Sequence, residues 1–93
     1  MSIQSYGCKL TAQILAGGSP RRFVAILRVA ERKLMLLDAA GCLNDLKVPP
    51  GNHLEALQAN RKGQHSIRIN SQWRLCFCWS DAGPTGVEIV DYH

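Results

Sequence analysis

The 93-residue chain lacks any long hydrophobic run, and none of its apolar stretches approaches the roughly 20 residues that a membrane-spanning helix needs. Its first residues, MSIQSYGCKL, also lack the charged and then apolar layout of a secretory signal peptide. Internal repeats and low-complexity segments are absent as well. We therefore expect a cytoplasmic protein with no membrane partner, folded as a single domain over residues 1–93.

The sequence also lacks a recognisable metal or disulfide framework. It has four cysteines, but no C-x₂-C pair, and only Cys76 and Cys78 are near each other. Two residues that are two positions apart on one strand point to the same face, but their sulfur atoms do not reach disulfide geometry. We therefore expect reduced, structural cysteines, no metal site and no cofactor.

The most informative stretch is residues 61–79, RKGQHSIRINSQWRLCFCW. Two alternating apolar runs flank the polar segment 70–72, a pattern that predicts a β-hairpin. Because strand side chains alternate between faces, one face is predicted to enter the core through Trp73, Leu75, Phe77 and Trp79. His65 shares that face and is predicted to be a packed core histidine. The opposite, polar face carries Arg68 and Arg74, and we expect it to form part of the working surface.

Two helices are predicted before the hairpin. The first runs over residues 8–16 and ends at a pair of glycines. The second is predicted as one helix with Ser19 as its N-cap, Pro20 in its first position and Gly41 as its stop. Its apolar residues recur at helical spacing and should pack on the tryptophan face of the hairpin: Phe23, Leu27, Ala30, Leu34 and Leu37.

Short strands are predicted at residues 3–6, 54–57 and 87–90, with a connector over 42–52 that holds a single helical turn. Without the brief stretch at 54–57, the order is β-α-α-β-β-β, which predicts an α+β fold in which two N-terminal helices pack on one face of a small, mostly antiparallel sheet.

The formal net charge of +4 is unevenly distributed. Between residues 19 and 33 a single acid, Glu31, stands among Arg21, Arg22, Arg28, Arg32 and Lys33. This surface is either a solvated helix face or a site that meets a polyanion or an acidic protein.

Several short motifs occur in a specific order over essentially the whole chain. They are Leu36-Leu37-Asp38-Ala39-Ala40, Pro50-Gly51 with Leu54-Glu55-x-Leu57, Arg61-Lys62-Gly63-Gln64-x-Ser66-Ile67, Gln72-Trp73-Arg74 and Val90-Asp91-Tyr92-His93. In this the chain resembles the HigB toxins of the RelE/ParE superfamily of type II toxin–antitoxin systems, also described as plasmid-maintenance killer proteins. The resemblance implies a RelE-like microbial-ribonuclease fold and ribosome-dependent cleavage of mRNA, so the expected partners are the ribosome, mRNA and a HigA-type helix-turn-helix antitoxin.

Cleavage of RNA by its own 2′-hydroxyl needs a base, an acid and cations for the phosphate. The resemblance carries over most directly to Arg74, Asp91, Tyr92 and His93, of which His93 suits proton transfer near neutral pH. The full set of expected catalytic residues is His93, Tyr92, Asp91, Arg74 and Glu55. The expected RNA- or phosphate-binding residues are Arg68, Arg61 and Lys62, the last two in a flexible loop.

Three positions depart from the family pattern. Glu55 stands where some members have a catalytic histidine, Gln58 where many have lysine, and Cys78 where arginine is usual. Two cations for the phosphate are therefore missing, and two alternatives stay open. The missing cations leave open a catalytically weakened toxin that acts only as an antitoxin-binding or regulatory partner. The other alternative to the nuclease is a ParE-like inhibitor of DNA gyrase on the same fold, which performs no chemistry.

Overall fold

The structure, a computed structural model, describes residues 2–91. Within this range two α-helices precede four β-strands, joined by short 3-10 segments. The helices are α1 (Lys9–Leu15) and α2 (Leu27–Ala39), and the strands are β1 (Glu55–Ala56), β2 (His65–Arg68), β3 (Trp73–Ser80) and β4 (Gly83–Asp91). The predicted α+β fold, with both helices on one face of a small sheet, is confirmed. None of the helices in this range has the length and apolar character to cross a membrane.

The sheet has the strand order β1-β2-β3-β4, and every neighbouring pair is antiparallel. The predicted hairpin is β2–β3, and its turn is closed by Asn70, whose Oδ1 accepts the backbone N–H groups of Gln72 and Trp73, each at 2.8 Å. The last strand is longer than the predicted residues 87–90. It begins at Gly83 because a tight turn brings Pro84 directly opposite Trp79.

The segment before α1 does not form the predicted edge strand over residues 3–6. It runs alongside β4 with a single parallel bridge, Tyr6 to Val87, and a hydrogen bond from the Gln4 N–H to the Pro84 carbonyl at 2.8 Å. The N–H of Ile3 turns away and donates to Asp38 Oδ1 in α2 at 2.8 Å. A side chain on the helix thus takes the donor that would have extended the strand pairing.

The prediction of one uninterrupted second helix was wrong. Residues Arg21–Ile26 form a 3-10 helix, and the α-helix begins only at Leu27. Phe23 and Ile26 are both buried, and their spacing of three matches the 3-10 repeat, which aligns residues i and i+3 on one side. Pro20, rather than Ser19, is the N-cap, without any side-chain cap, and α2 ends at Ala39 before reaching Gly41.

The core lies between the helices and the inner face of the sheet. Ala30, Leu34 and Leu37 of α2 are fully buried there, together with Leu75 and Phe77 of β3. The predicted contact with the tryptophan face is confirmed at the edge of this core. The ring of Trp73 meets Phe23 edge-on, with centroids 5.4 Å apart, and the Arg22 guanidinium lies 5.4 Å from its centroid.

His65 lies on the core face, as predicted. Its ring is roughly parallel to that of Phe77, with centroids 6.4 Å apart, and its buried Nδ1 has no hydrogen-bond partner among the described residues. The histidine therefore contributes packing rather than a polar contact through Nδ1.

The loop between β1 and β2 has regular structure and internal hydrogen bonds. It contains a 3-10 turn, Ala59–Arg61, and the Leu57 N–H donates to the Gln64 carbonyl at 2.9 Å across its base. Ala59 adopts φ +57°, in the left-handed region that favours glycine over residues with a side chain.

We predict that Ala59→Gly raises the free energy of unfolding by about 0.5–1 kcal/mol, because it removes the strain of a Cβ in the left-handed conformation. Urea denaturation of both proteins measures the difference. The matched control is Ala39→Gly at the exposed end of α2, which should lower stability by up to about 1 kcal/mol. Equal destabilisation by the two substitutions would contradict the prediction.

Candidate functional site

Polar residues gather on the face of the sheet that points away from the helices, which we call the outer face. The register places Glu55, Ser66, Cys76 and Glu88 side by side across all four strands. The neighbouring row consists of Arg68, Arg74 and Val90. Residues directly opposite each other share a face, so the structure brings together three of the predicted site residues: Glu55, Arg68 and Arg74.

Arg74 is held inside this face rather than projecting from it. Only 8% of the residue is exposed. Its Nε donates to Ser66 Oγ at 2.7 Å, and its Nη2 donates to the His53 carbonyl at 2.6 Å and to the Ser66 carbonyl at 3.4 Å. These bonds explain how Arg74 is accommodated there, because a buried guanidinium requires such acceptors around it.

The acceptor at His53 depends on an unusual backbone conformation. His53 has φ +44° and ψ +58°, a left-handed geometry that follows a 3-10 turn over Pro50–Asn52. The preceding Asn52 is fully buried, and its Nδ2 donates to the carbonyls of Leu46 at 3.0 Å and Val48 at 3.2 Å. The connector is thereby locked in the shape that presents the His53 carbonyl to Arg74.

Asn52 also links the connector to the helix layer. Its Oδ1 accepts a hydrogen bond from Lys33 Nζ of α2. Partial burial, and next the charge of the adjacent Arg32, lower the pKa of Lys33. A polar connection therefore runs from α2 through Asn52 to the residue that orients Arg74.

The other two members of the cluster are more accessible. The Glu55 carboxylate lies 3.7 Å from Arg74 Nη1, and 54% of its side chain is exposed. Arg68 is half-buried next to Arg74 and forms no hydrogen bond or ion pair with another residue of the described range 2–91. Its guanidinium is available to an anion at this face.

Arg61, predicted to bind RNA or phosphate from a loop, forms side-chain bonds to the sheet. Its Nη1 donates to Glu88 Oε1 at 3.0 Å and to Gln64 Oε1 at 3.1 Å. The ion pair fixes the loop above β4 and covers Cys76. Burial raises the pKa of the Cys76 thiol, so this cysteine is held protonated. Lys62, the neighbouring predicted cation, is exposed.

A pocket of about 380 Å³ opens between this loop and the end of β4. Asp91, the last described residue, borders the pocket, and its Oδ2 accepts a hydrogen bond from Gln72 Nε2 at 3.1 Å. Asp91 stands opposite Trp73, one strand position beyond the Arg74 row. Tyr92 and His93, the other two predicted catalytic residues, lie outside the described residues.

Several contributors to the site were missed at the level of sequence. Ser66 shares the alternating face of Arg68, so its position was readable even though its bonds to Arg74 were not. The His53 carbonyl left no sequence signal, because a backbone atom acts there through a left-handed φ. The role of Glu88 left no sequence signal either, because its ion pair with Arg61 joins residues that are distant in the sequence.

The cysteines do not assemble into a centre in the described part of the chain. Cys8, Cys42, Cys76 and Cys78 are all free thiols. Residues 2–91 contain no group of three or more histidine, cysteine, aspartate or glutamate side chains arranged to hold a metal ion.

Comparison with known proteins is informative at this point. A family model described as the RelE-like toxin of the type II toxin–antitoxin system HigB matches residues 22–93. Toxin HigB-1 of Vibrio cholerae is 56% identical over 50 residues, which cover 54% of this chain and 53% of the relative. An uncharacterized protein of Haemophilus influenzae is 42% identical over 52 residues, which cover 56% of this chain and 52% of the relative. The chain thus spans about half the length of the curated relatives it matches. Because the family model covers most of the chain, we conclude that it belongs to the family of RelE-like toxins of the type II toxin–antitoxin system HigB.

Proposed function

We propose that the protein is a ribosome-dependent mRNA endonuclease that inhibits translation and is neutralised by a HigA-type helix-turn-helix antitoxin. The observation that supports this proposal is the pair of arginines on the outer face. Arg74 is preorganised by burial, and Arg68 beside it is available to a phosphate. Cations fixed before the substrate arrives stabilise the charge that develops on a phosphate without a cost of reorganisation.

The proposed reaction needs two proton transfers. The 2′-oxygen bonds to phosphorus while the bond from phosphorus to the 5′-oxygen breaks, leaving a 2′,3′-cyclic phosphate. A base accepts the 2′-hydroxyl proton, and an acid gives a proton to the departing 5′-oxygen. His93 is our candidate for one transfer and Glu55, exposed beside Arg74, for the other. Asp91 and Tyr92 are assigned to substrate orientation and base stacking.

The departures from the family pattern at Gln58 and Cys78 favour a second candidate function, that of a catalytically weakened toxin. Gln58 borders the pocket and brings no charge, and Cys78 is half-buried on β3. Under this alternative the protein binds its antitoxin but cuts poorly, and Gln58→Lys with Cys78→Arg should switch cleavage on.

The antitoxin is assigned to the basic helix surface. Three arginines are exposed there: Arg21, Arg28 and Arg32. Two exposed apolar residues belong to the same surface, Val24 at 60% and Met35 at 58% exposure. Positive charge interleaved with apolar side chains suits an acidic, amphipathic segment of a partner better than a bare polyanion.

Cleavage is tested by primer extension on an actively translated message, with and without induction of the protein. Cuts within codons that appear only on translated RNA are expected, and His93→Ala should reduce them by at least about 10²-fold, because it removes a proton-transfer group. Gln13→Ala on the exposed side of α1 is the control. An uncut message with growth arrested would favour the gyrase inhibitor, and an uncut message with normal growth the antitoxin-binding partner.

A second prediction concerns the support of Arg74. Ser66→Ala should lower the cleavage rate about tenfold with little change in ribosome binding, because the guanidinium loses its acceptor at 2.7 Å. Ser66→Thr, which keeps the hydroxyl, should retain cleavage. The matched control is Ser80→Ala, which removes a hydroxyl bond to the Gly83 carbonyl at the far end of the sheet. Full activity of a folded Ser66→Ala protein would refute the positioning role.

The partner surface is tested by charge reversal. The double variant Arg28→Glu, Arg32→Glu should weaken binding of the antitoxin encoded by the neighbouring gene at least about tenfold, because like charges then face each other. Isothermal calorimetry at low and high salt measures the effect, and Lys9→Glu on α1 is the control. Unchanged affinity of the double variant would remove the antitoxin from this surface.

A further inference from the structure

The pocket beside the end of β4 has a defined and mixed lining. Its volume of about 380 Å³ falls in the range of pockets that hold small ligands. The lining combines apolar side chains, amides and charged groups: Leu57, Gln58, Ala59, Asn60, Arg61, Val90 and Asp91. Leu57 is buried and Val90 half-buried, so the apolar part belongs to the folded body of the protein.

The amides of Gln58 and Asn60 are the neutral polar side chains of this lining. Both residues are exposed, and neither side chain forms a hydrogen bond with another residue in the range 2–91. Each amide offers a donor and an acceptor side by side. That pair complements the edge of a nucleobase, which presents donors and acceptors next to one another.

The charges of the pocket argue against a phosphate ligand. The guanidinium of Arg61 already lies 3.0 Å from the Glu88 carboxylate, which balances its charge. Asp91 adds a negative group at the opposite side of the pocket. A phosphate in the pocket would meet this carboxylate while the cation of the lining, Arg61, is already paired with Glu88, whereas an uncharged base carries no such penalty.

The loop that carries the amides is hydrogen-bonded to the sheet and within itself. Besides Glu88, Arg61 bonds the side chain of Gln64 at 3.1 Å, and the Arg61 N–H donates to the Gln58 carbonyl at 3.2 Å. The loop is therefore tied both to the sheet and to itself. A backbone held in this way keeps Gln58 and Asn60 at the pocket before a ligand arrives, which lowers the entropic cost of binding.

We propose that this pocket binds an unstacked RNA nucleobase and that Gln58 and Asn60 read its hydrogen-bonding edge. This inference rests on the proposed function, since the pocket adjoins Asp91 and would hold a base next to the nucleotide that is cut.

The test uses the full chain, labelled with ¹⁵N and titrated separately with the four nucleoside 5′-monophosphates and with ribose 5-phosphate. We expect the nucleotides to shift the amide signals of residues 57–61 and 90–91, and ribose 5-phosphate to leave them in place. Gln58→Ala and Asn60→Ala should each weaken nucleotide binding about tenfold, because each removes an amide that hydrogen-bonds the edge of the base. Gln13→Ala is the matched amide control.

Several outcomes would overturn the proposal. One is an equal shift from ribose 5-phosphate, which would mean that the sugar phosphate alone binds. The others are an unchanged affinity in both variants and the absence of any shift at these residues.

The cleavage assay separates this result from the proposed function. Where the wild type cuts, Gln58→Ala and Asn60→Ala should change the base preference at the cut sites, and an unchanged preference contradicts base reading. Nucleotide binding without any cleavage would retain the pocket and reject the nuclease.

Discussion

A guanidinium group keeps its proton under all ordinary conditions, so burying Arg74 obliges the surrounding chain to supply acceptors for it. Two regions far apart in sequence meet this demand. Ser66 lies on the neighbouring strand, and His53 offers its carbonyl from a left-handed backbone position in the connector. The pairing of β2 with β3 and the shape of the connector are therefore coupled through the Arg74 side chain. If either arrangement were lost, the buried guanidinium would lack acceptors that offset the free-energy cost of removing it from water.

The same coupling relates the helix layer to the outer face. Lys33 of α2 donates to Asn52, and Asn52 fixes the connector whose next carbonyl faces Arg74. The apolar stripe of α2 meanwhile packs on the opposite side of the same sheet. The stability of the fold and the geometry of the proposed phosphate site thus depend on the same residues. This explains why Arg74 can be buried and still be held in one orientation.

The outer face joins two kinds of polar environment. Around Arg68 and Arg74 positive charge dominates, with Glu55 at its border. Beside it, the ion pair of Arg61 and Glu88 balances its own charge and supports a pocket lined by neutral amides. Phosphate recognition and base recognition need these different environments, because a phosphate requires uncompensated cations whereas a base requires directional donors and acceptors. We therefore assign phosphate binding to the region of Arg68 and Arg74, and base binding to the pocket.

The sequence by itself determined the hairpin, the presence of two helices, the α+β class and the family, because strand alternation, helical spacing and motif order are local properties of the chain. It also placed Arg68 and Arg74 on one face. Only the tertiary structure decided that Arg74 is buried, that Arg61 is bound to Glu88 and that the second helix starts as a 3-10 segment. Each of these depends on a contact between residues distant in sequence or on a backbone conformation at one residue, such as His53, that no side-chain pattern encodes.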